Sequence, residues 1–179
     1  GIEKGLGRGE GMTAPGTRPF DGIKVLDFTR FFAGPFGTYQ FALLGADVVK
    51  IERIGGEDNR RAQLSQEWVD RNMAPAFMAI NANKRSLTLD LKKPEAQAIV
   101  KRLVRDADIV WENFRPGVMD RFGLGYETLK AINPKLIYCA VSGFGHSGPE
   151  SAKAAFDGKI QAMSGIMSIT GEAEGGPMR

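Results

Sequence analysis

The sequence is poor in the features that mark several large classes of protein. It has one cysteine, Cys139, so no disulfide can form within the chain, and a reducing, cytoplasmic compartment is the expected location. No apolar run approaches the roughly 20 residues that a membrane-spanning helix needs. Residues 1–20 are rich in glycine and charge and lack the apolar centre of a signal peptide. We therefore expect a protein with no membrane partner.

The sequence also lacks the patterns of metal and nucleic-acid binding. Its single histidine, His146, has no cysteine or histidine neighbours at zinc-site spacing. The net charge of +3 and the isoelectric point near 9.1 are basic, but basic and aromatic residues do not alternate as they do in nucleic-acid readers. A modest basic excess suits a phosphorylated small ligand at least as well. We expect neither a metal nor a nucleic-acid partner.

A β-α-β unit is the strongest pattern in the 179 residues. Lys24–Phe28 and Asp47–Ile51 are short apolar runs, and Ala33–Gly45 between them has apolar residues at helical spacing. Such a unit predicts parallel strands joined by a right-handed crossover. Ligands of parallel sheets bind beyond the carboxyl ends of the strands. The loop Thr29–Gly34 and the loop that begins at Arg53 are therefore candidate binding loops.

The rest of the chain continues to alternate between strand-like and helix-like segments. Strands are predicted over three further runs, Ser86–Leu91, Asp108–Trp111 and Leu136–Val141, and the last of them is expected to be buried. Helices are predicted over four segments, Pro94–Asp106, Met119–Phe122, Tyr126–Ile132 and Asp157–Met167, and Ala74–Ile80 reads as a short helix or an apolar turn. The helix that begins at Pro94 should bury the face that carries Ala98, Ile99, Leu103 and Ala107. The polar stretch Gly55–Arg71 reads as an irregular surface excursion. This alternation predicts an α/β fold with a Rossmann-like parallel sheet flanked by helices.

Two regions fall outside this alternation. Residues 1–19 read as a leader, partly vector-derived or disordered, and residues 20–179 as the folded part. The run Glu172–Arg179 is typical of a connecting loop.

Several loops carry polar chemistry that has both a ligand and a structural explanation. The helix after Thr29–Gly34 points free N–H groups toward that loop, which favours an anion, but ordinary strand–helix packing explains the same pattern. No G-x-G-x-x-G dinucleotide fingerprint is present. Arg53 can hold a phosphate, or pair on the surface with Glu52 or Asp58. The pairs Lys84-Arg85 and Lys92-Lys93 form a basic patch, or a solvated strand edge.

Five blocks of the sequence resemble one family. The blocks are DGIKVLDFTRFFAGP, LLGADVVKIER, NANKRSLTLDLKKPEA, DADIVWENFRPGVMDRFGLGYETLKAINPKLIYCAVSGFG and AFDGKIQAMSG. In order and spacing they are similar to the CaiB/BaiF family, the class III, formyl-CoA-type coenzyme A transferases. The resemblance covers Phe20 to Gly171.

The resemblance implies an activity and an assembly. The family moves coenzyme A (CoA) between an acyl-CoA and a free carboxylic acid through aspartyl anhydride and aspartyl-CoA thioester intermediates. It forms interlocked homodimers in which each chain threads through a ring made by the other. The nucleophilic aspartate of the family's motif would follow Arg179, so the resemblance implies that this chain is the N-terminal part of the large CoA-binding domain. It also implies a companion C-terminal segment, without which the chain should be inactive.

The resemblance also implies a set of CoA contacts. They match the family's motifs at Phe32, Ala33, Arg53, Leu89, Asp90, Leu91, Lys92, Asn113, Phe114, Arg115, Arg121, Ala154, Phe156 and Asp157.

Three of these positions depart from the family's pattern or separate its activities. Position 154 is often basic in the family, but here Lys153 is one place earlier. Position 32 is often Gln in formyl-CoA transferases, so Phe32 argues against formyl or oxalyl groups. The family's α-methylacyl-CoA racemases use a His-Asp pair at 156–157, and Phe156 cannot shuttle a proton.

Some alternatives remain open at this point. Asp157 has an accessory role or caps the N-terminus of its helix. The alternatives to CoA transfer are a racemase-like CoA-ester enzyme and a catalytically inactive CoA-binding fragment. Outside the predicted contacts, His146 reads as an exposed loop residue and Cys139 as an inert core residue.

Overall fold

A five-stranded parallel sheet forms the centre of the molecule. The computed structural model describes residues 18–62 and 66–178, so most of the predicted leader and Arg179 lie outside the described residues. The strands are β1 (Lys24–Asp27), β2 (Asp47–Glu52), β3 (Arg85–Thr88), β4 (Ile109–Glu112) and β5 (Ile137–Ala140). They are all parallel and lie in the order β3-β2-β1-β4-β5. The predicted α/β class and the first β-α-β unit are confirmed.

Helices connect the strands and cover both faces of the sheet. They are α1 (Ala33–Leu43), α2 (Gln66–Asp70), α3 (Pro75–Asn81), α4 (Pro94–Val104), α5 (Val118–Arg121), α6 (Tyr126–Ile132), α7 (Asp157–Met163) and α8 (Ile166–Ile169), with one 3-10 turn at Asp58–Arg61. In the described part of the chain, no helix is long and apolar enough to cross a membrane.

Strand alternation divides the core between the two faces. Val25, Val48 and Ile109 point toward the α1 side, where they pack with Ala42 and Ala46. The neighbouring positions Leu26 and Val110 point to the opposite side, into a larger cluster with residues of α4 and α6. A parallel sheet buried on both faces explains why its central strands read as continuous apolar runs.

Two predicted helices differ from the structure. The buried face of α4 carries Ala96, Val100 and Val104, while Ala98 and Ile99 of the predicted face are exposed. These three residues are spaced four apart, so they lie on one side of the helix. That side faces the sheet because the chain continues from it through Ala107 into β4. The predicted helix Asp157–Met167 is divided into α7 and α8 at Gly165, whose φ of +82° interrupts the helix.

Other predicted segments also need correction. The strand predicted over Ser86–Leu91 ends at Thr88, although the Leu89 amide still donates to the Glu52 carbonyl. The strand predicted as buried over Leu136–Val141 is the edge strand β5, and Ile137 is 61% exposed because no strand covers that side. The stretch Gly55–Arg71 is not simply irregular, since it contains the 3-10 turn and α2, with residues 63–65 outside the description.

Candidate active site

Two adjoining cavities lie at the carboxyl edge of the sheet. The wide cavity has a volume of about 790 Å³ and lies between the loop Thr29–Gly34, here called the site loop, and the segment Lys153–Asp157. The narrow cavity has a volume of about 440 Å³ and lies between Arg53 and the segment Leu89–Lys92. The loops that follow β1, β2, β3, β4 and β5 therefore meet at one site, as the topology requires.

The structure gathers nearly all the residues predicted to bind CoA around these two cavities. The wide cavity is lined by Phe32, Ala33, Asn113, Phe114, Arg115, Ala154, Phe156 and Asp157. The narrow cavity is lined by Arg53, Leu89, Asp90, Leu91, Lys92 and again Phe114. Arg121 lines neither of the two, and its guanidinium lies beside the turn at Gly117 instead. The binding roles themselves stay predictions.

Side chains hold every backbone amide and carbonyl of the first three residues of the site loop, Thr29, Arg30 and Phe31. Asp27 accepts from the Thr29 amide at 2.8 Å, and Lys50 donates to the Thr29 carbonyl at 2.8 Å. Asn113 binds both Arg30 groups, accepting from its amide and donating to its carbonyl at 2.8 Å each.

The next residue of the loop, Phe31, is held in the same way. Its amide donates to Glu57 at 3.1 Å, and its carbonyl accepts from Asn59 at 2.6 Å. These two bonds fix a backbone φ of +63°, which a non-glycine residue rarely adopts. The loop is therefore fixed in place before any ligand arrives.

Gly34 allows the site loop to lie directly against α1. A Cβ at this position would lie 2.5 Å from the Cβ of Thr29, so only glycine lets the loop turn this tightly. The predicted close strand–helix packing is therefore present together with the cavity in front of it.

A buried group of charged residues, here called the buried ion cluster, lies beneath the site loop. Its members are Asp27, Lys50, Glu52, Glu57, Arg60 and Lys84. Asp27, Lys50 and Glu52 occupy alternate strand positions on the α1 side of the sheet, in register with the apolar Val25 and Val48. Charged residues thus continue the period-two pattern of the core toward the carboxyl edge.

Lys84 is the centre of the first half of this cluster. Its ammonium lies 3.0 Å from Asp27 Oδ2 and 2.8–2.9 Å from Thr38 Oγ1, Asn81 Oδ1 and the Pro35 carbonyl. Burial lowers the pKa of Lys84 to about 8, against the raising effect of Asp27. The predicted surface patch at Lys84 is therefore wrong, since this side chain is only 1% exposed and holds the start of α1.

Glu57 and Glu52 form the second half of the cluster. Glu57 Oε1 lies 3.4 Å from Lys50 Nζ without hydrogen-bond geometry, so this contact is an ion pair only. Burial raises the pKa of Glu57, although Lys50 acts against it. Burial alone would also raise the pKa of Glu52, but hydrogen bonds from Arg60 and Ser86 outweigh it and lower that pKa.

Arg53 makes a surface ion pair with Asp58, one of the two roles predicted for it. Its guanidinium contacts Asp58 and donates to the Gly56 carbonyl at 2.9 Å, and both charged side chains are about half exposed. A surface pair of this kind is weak. Arg53 can therefore exchange Asp58 for a ligand phosphate at little cost.

Glu112 ends β4 and supports the next loop from below. Its Oε2 accepts from the Phe114 amide at 2.7 Å, and the side chain is almost fully buried. Burial raises the pKa of Glu112 to about 7, a shift that the hydrogen bond from Phe114 only partly offsets.

Asp157 lies at the rim of the wide cavity. It is the first residue of α7 and follows the N-cap position, which Phe156 occupies, so the expected N-capping by Asp157 is wrong. Its carboxylate accepts from Gln161 at 2.6 Å and is exposed. Phe156 is 70% exposed and makes an edge contact with Phe31 across the cavity mouth.

The histidine and the cysteine lie away from this rim. His146 is exposed, as expected, while Cys139 is only half-buried because β5 is an edge strand.

Sequence reasoning missed the residues that hold the site loop from beneath. Asp27 and Lys50 each stand inside an apolar strand run, and a charge in such a run is the signal that could have found them. Glu57 and Lys84 had no comparable signal, because their burial depends on contacts with distant strands. Arg30 was also missed, although it lines both cavities.

The arrangement can bind a long ligand that is anionic at one end. The narrow cavity combines Arg53 and Lys92 with apolar walls, which suit phosphates and a planar ring. The wide cavity offers aromatic walls and exposed cations for an acyl group. Among residues 18–62 and 66–178, no group of three or more His, Cys, Asp or Glu side chains could hold a metal ion.

Comparisons with known proteins agree with this geometry. The sequence model of CoA-transferase family III matches residues 20–179. The chain is 46% identical over 165 residues to a succinate–glutarate CoA-transferase of Agrobacterium fabrum, which covers 90% of this chain and 41% of that protein. It is 47% identical over 161 residues to an acetyl-CoA:oxalate CoA-transferase of Acetobacter aceti, with 90% of this chain and 41% of that protein covered.

A solved structure gives the same result. The structure of a CaiB/BaiF family protein from Brucella suis superposes with a TM-score of 0.83 at 43% sequence identity, over 90% of this chain and 43% of that one. The chain thus spans about two fifths of the length of the relatives that it matches.

Proposed function

The chain belongs to CoA-transferase family III, and from this premise we propose that the protein moves coenzyme A from an acyl-CoA to a free carboxylic acid. The observation that carries the proposal is the pair of adjoining cavities that share Arg30 and Phe114. The narrow cavity would take the nucleotide end of CoA, and the wide cavity would take the pantetheine arm and the thioester. The segments that line them come from all five strand ends.

In the proposed reaction an aspartate acts as the nucleophile. Its carboxylate oxygen attacks the acyl carbon, a mixed anhydride forms and the CoA thiolate leaves. The thiolate then attacks the aspartyl carbonyl, which releases the donor acid and forms an aspartyl-CoA thioester. The acceptor carboxylate reverses these steps, so no water, oxidant or metal is consumed.

We place this aspartate beyond Arg179 and give Asp157 an accessory position at the cavity rim. In the described part of the chain, Asp157 is the only carboxylate that lines the wide cavity. Its hydrogen bond from Gln161 and its exposure suit a solvent-facing role better than that of a desolvated nucleophile.

The acids we propose are short dicarboxylic acids. Relatives that share 46% and 47% identity carry succinate, glutarate or oxalate in their names. Arg115 and Lys153 line the wide cavity and could meet a second carboxylate there, while Phe31, Phe32 and Phe156 favour a carbon chain between the two ends. Because of these aromatic walls, we expect succinate and glutarate to be better substrates than oxalate or formate.

The proposal includes an interlocked homodimer and a companion C-terminal segment, in the cytoplasm. Large apolar side chains of α7 and α8 support a covering partner, since Met163 is 56% and Ile169 is 84% exposed. Size-exclusion chromatography with light scattering should give a dimer of the intact protein, and intact-mass spectrometry should give a chain longer than 19.5 kDa. A monomer of 19.5 kDa that is stable and has no larger gene product would contradict this part.

The test of the proposed function is a transfer assay with the intact protein. Succinyl-CoA is mixed with glutarate, oxalate, formate or acetate, and new acyl-CoA species are quantified by chromatography and mass spectrometry. Glutaryl-CoA should form at the highest kcat/KM. A parallel incubation of 2-methylacyl-CoA in deuterated water should show no α-proton exchange, because Phe156 cannot carry a proton. Exchange without transfer would replace the proposal with a racemase-like activity.

A further inference from the structure

We propose that Arg30 binds the pyrophosphate of CoA at the junction of the two cavities, and this assignment rests on the proposed function. Arg30 is half-buried and lines both the wide and the narrow cavity. A ligand that passes from one cavity to the other must therefore pass this side chain.

The position of Arg30 is fixed from two directions. Asn113 holds its backbone amide and carbonyl at 2.8 Å each, so the residue cannot shift along the site loop. The centre of its guanidinium lies 4.8 Å from the ring centroid of Phe114, which also lines both cavities. The flat guanidinium on the aromatic face keeps its N–H edge available for a ligand.

Arg30 differs from Arg53 and Arg60 because no carboxylate in the described part of the chain lies in contact with it. Arg53 pairs with Asp58, and Arg60 donates to Glu52 at 2.5–2.6 Å. The Arg30 guanidinium makes no hydrogen bond or close ion pair with any residue in 18–62 or 66–178. Burial and the neighbouring Arg53 lower the pKa of Arg30, and the more distant carboxylates of Asp58 and Glu57 only partly offset this. Such a group is stabilised when a bound anion supplies the missing partner.

The order of groups in CoA identifies which anion this is. CoA runs from its 3′-phosphorylated adenosine through a pyrophosphate to the pantetheine arm and the sulfur. With the nucleotide in the narrow cavity and the thioester in the wide cavity, the pyrophosphate comes to the junction. The planar fork of an arginine matches phosphate oxygens with two parallel hydrogen bonds.

The experiment compares three ligands on the intact wild-type protein and the variant Arg30→Gln. CoA, 3′-dephospho-CoA and pantetheine are titrated by calorimetry or by competition. The variant should lose about tenfold to a hundredfold in affinity for CoA and for 3′-dephospho-CoA alike, since both contain the pyrophosphate. Its affinity for pantetheine should stay unchanged. Arg30→Lys should recover part of the loss, because it restores the charge without the fork.

Each contrary outcome has a separate meaning. A loss for CoA that disappears with 3′-dephospho-CoA assigns Arg30 to the 3′-phosphate and overturns the proposal. Unchanged CoA affinity with a raised KM for the free acid assigns it to a substrate carboxylate and overturns it as well. Because unchanged pantetheine binding requires an intact site, it also shows that the variant has folded. Failure of the wild-type protein to bind CoA would instead overturn the proposed function itself.

Discussion

Replacing Lys84 with methionine is expected to leave the Asp27 carboxylate buried without its cation. Asp27 is fully buried, and Lys84 Nζ lies 3.0 Å from its Oδ2. The remaining donors to Asp27 are neutral, from Thr29 and Thr38. Methionine fills a similar volume, so the change removes the charge and its hydrogen bonds rather than the packing.

The magnitude follows from the contacts that Lys84 makes. Removing one partner of a buried ion pair costs about 3–5 kcal/mol, because the other charge stays desolvated. The variant is therefore expected to lose about 3–5 kcal/mol in its free energy of unfolding. The Pro35 carbonyl and the start of α1 also lose their anchor, so CoA affinity should fall with stability.

The assay is chemical denaturation of the intact protein at pH 7, followed by circular dichroism. Lys135→Met is the matched control, because Lys135 is exposed and its side chain makes no hydrogen bond or ion pair in the described residues. The double variant Asp27→Asn with Lys84→Met should be less destabilised than the sum of the two single changes, since it removes both charges. If Lys84→Met matches the Lys135 control within about 0.5 kcal/mol, the buried ion cluster does not stabilise the fold as argued.

Three further changes test other parts of the site. Glu112→Gln should make stability less dependent on pH. Because the pKa of Glu112 is raised to about 7, the folded state keeps a proton that the unfolded state loses above about pH 4.5. Wild-type stability should therefore fall between about pH 4.5 and 7, by up to about 1.4 kcal/mol per pH unit. If the free energy of unfolding changes equally in the wild type and the variant between pH 5 and 7, this reasoning is wrong. Gly143→Ala places a Cβ 2.0 Å from the Cβ of Ala155 and should push back the wall of the wide cavity, which raises KM for acyl-CoA more than it weakens CoA binding. Gly176→Ala, in open space, is its control, and an unchanged KM would refute the contact. Asn113→Ala should weaken CoA binding at least tenfold, measured by calorimetry, because it releases the site loop. Asn113→Asp keeps an acceptor for the Arg30 amide but no donor for the Arg30 carbonyl, so it should restore only part of the CoA affinity.

The strands and the edge of the site could be predicted from the sequence because they depend on local pattern. The predicted apolar runs Lys24–Phe28 and Asp47–Ile51, with a helical segment between them, permit few arrangements other than a parallel β-α-β unit. Once the strands are parallel, the loops that follow them must meet at one edge. Apart from Arg121, the residues that the family resemblance implied as CoA contacts therefore line the two cavities, although they are far apart in sequence.

The features that escaped prediction depend on contacts between distant segments. The burial of Lys84 requires Asp27 and α1 to lie above it, and nothing near Lys84 in the sequence distinguishes it from the exposed Arg85. The exposure of β5 depends on its edge position, which the strand order decides and a single strand cannot reveal. The face of α4 was mispredicted because Ile99 and Val100 are both apolar and adjacent, so local spacing left two faces nearly equivalent.

Isotope exchange in a single half-reaction tests the central proposal most directly. The intact protein is incubated with unlabelled succinyl-CoA and ¹³C-labelled free succinate, with no second acid, and the label in succinyl-CoA is followed by mass spectrometry. A transferase that works through an aspartyl-CoA thioester predicts label entry up to the isotopic equilibrium, with no net loss of thioester. If succinyl-CoA binds with the expected affinity but takes up no label, the proposed transfer is wrong and the protein only binds CoA.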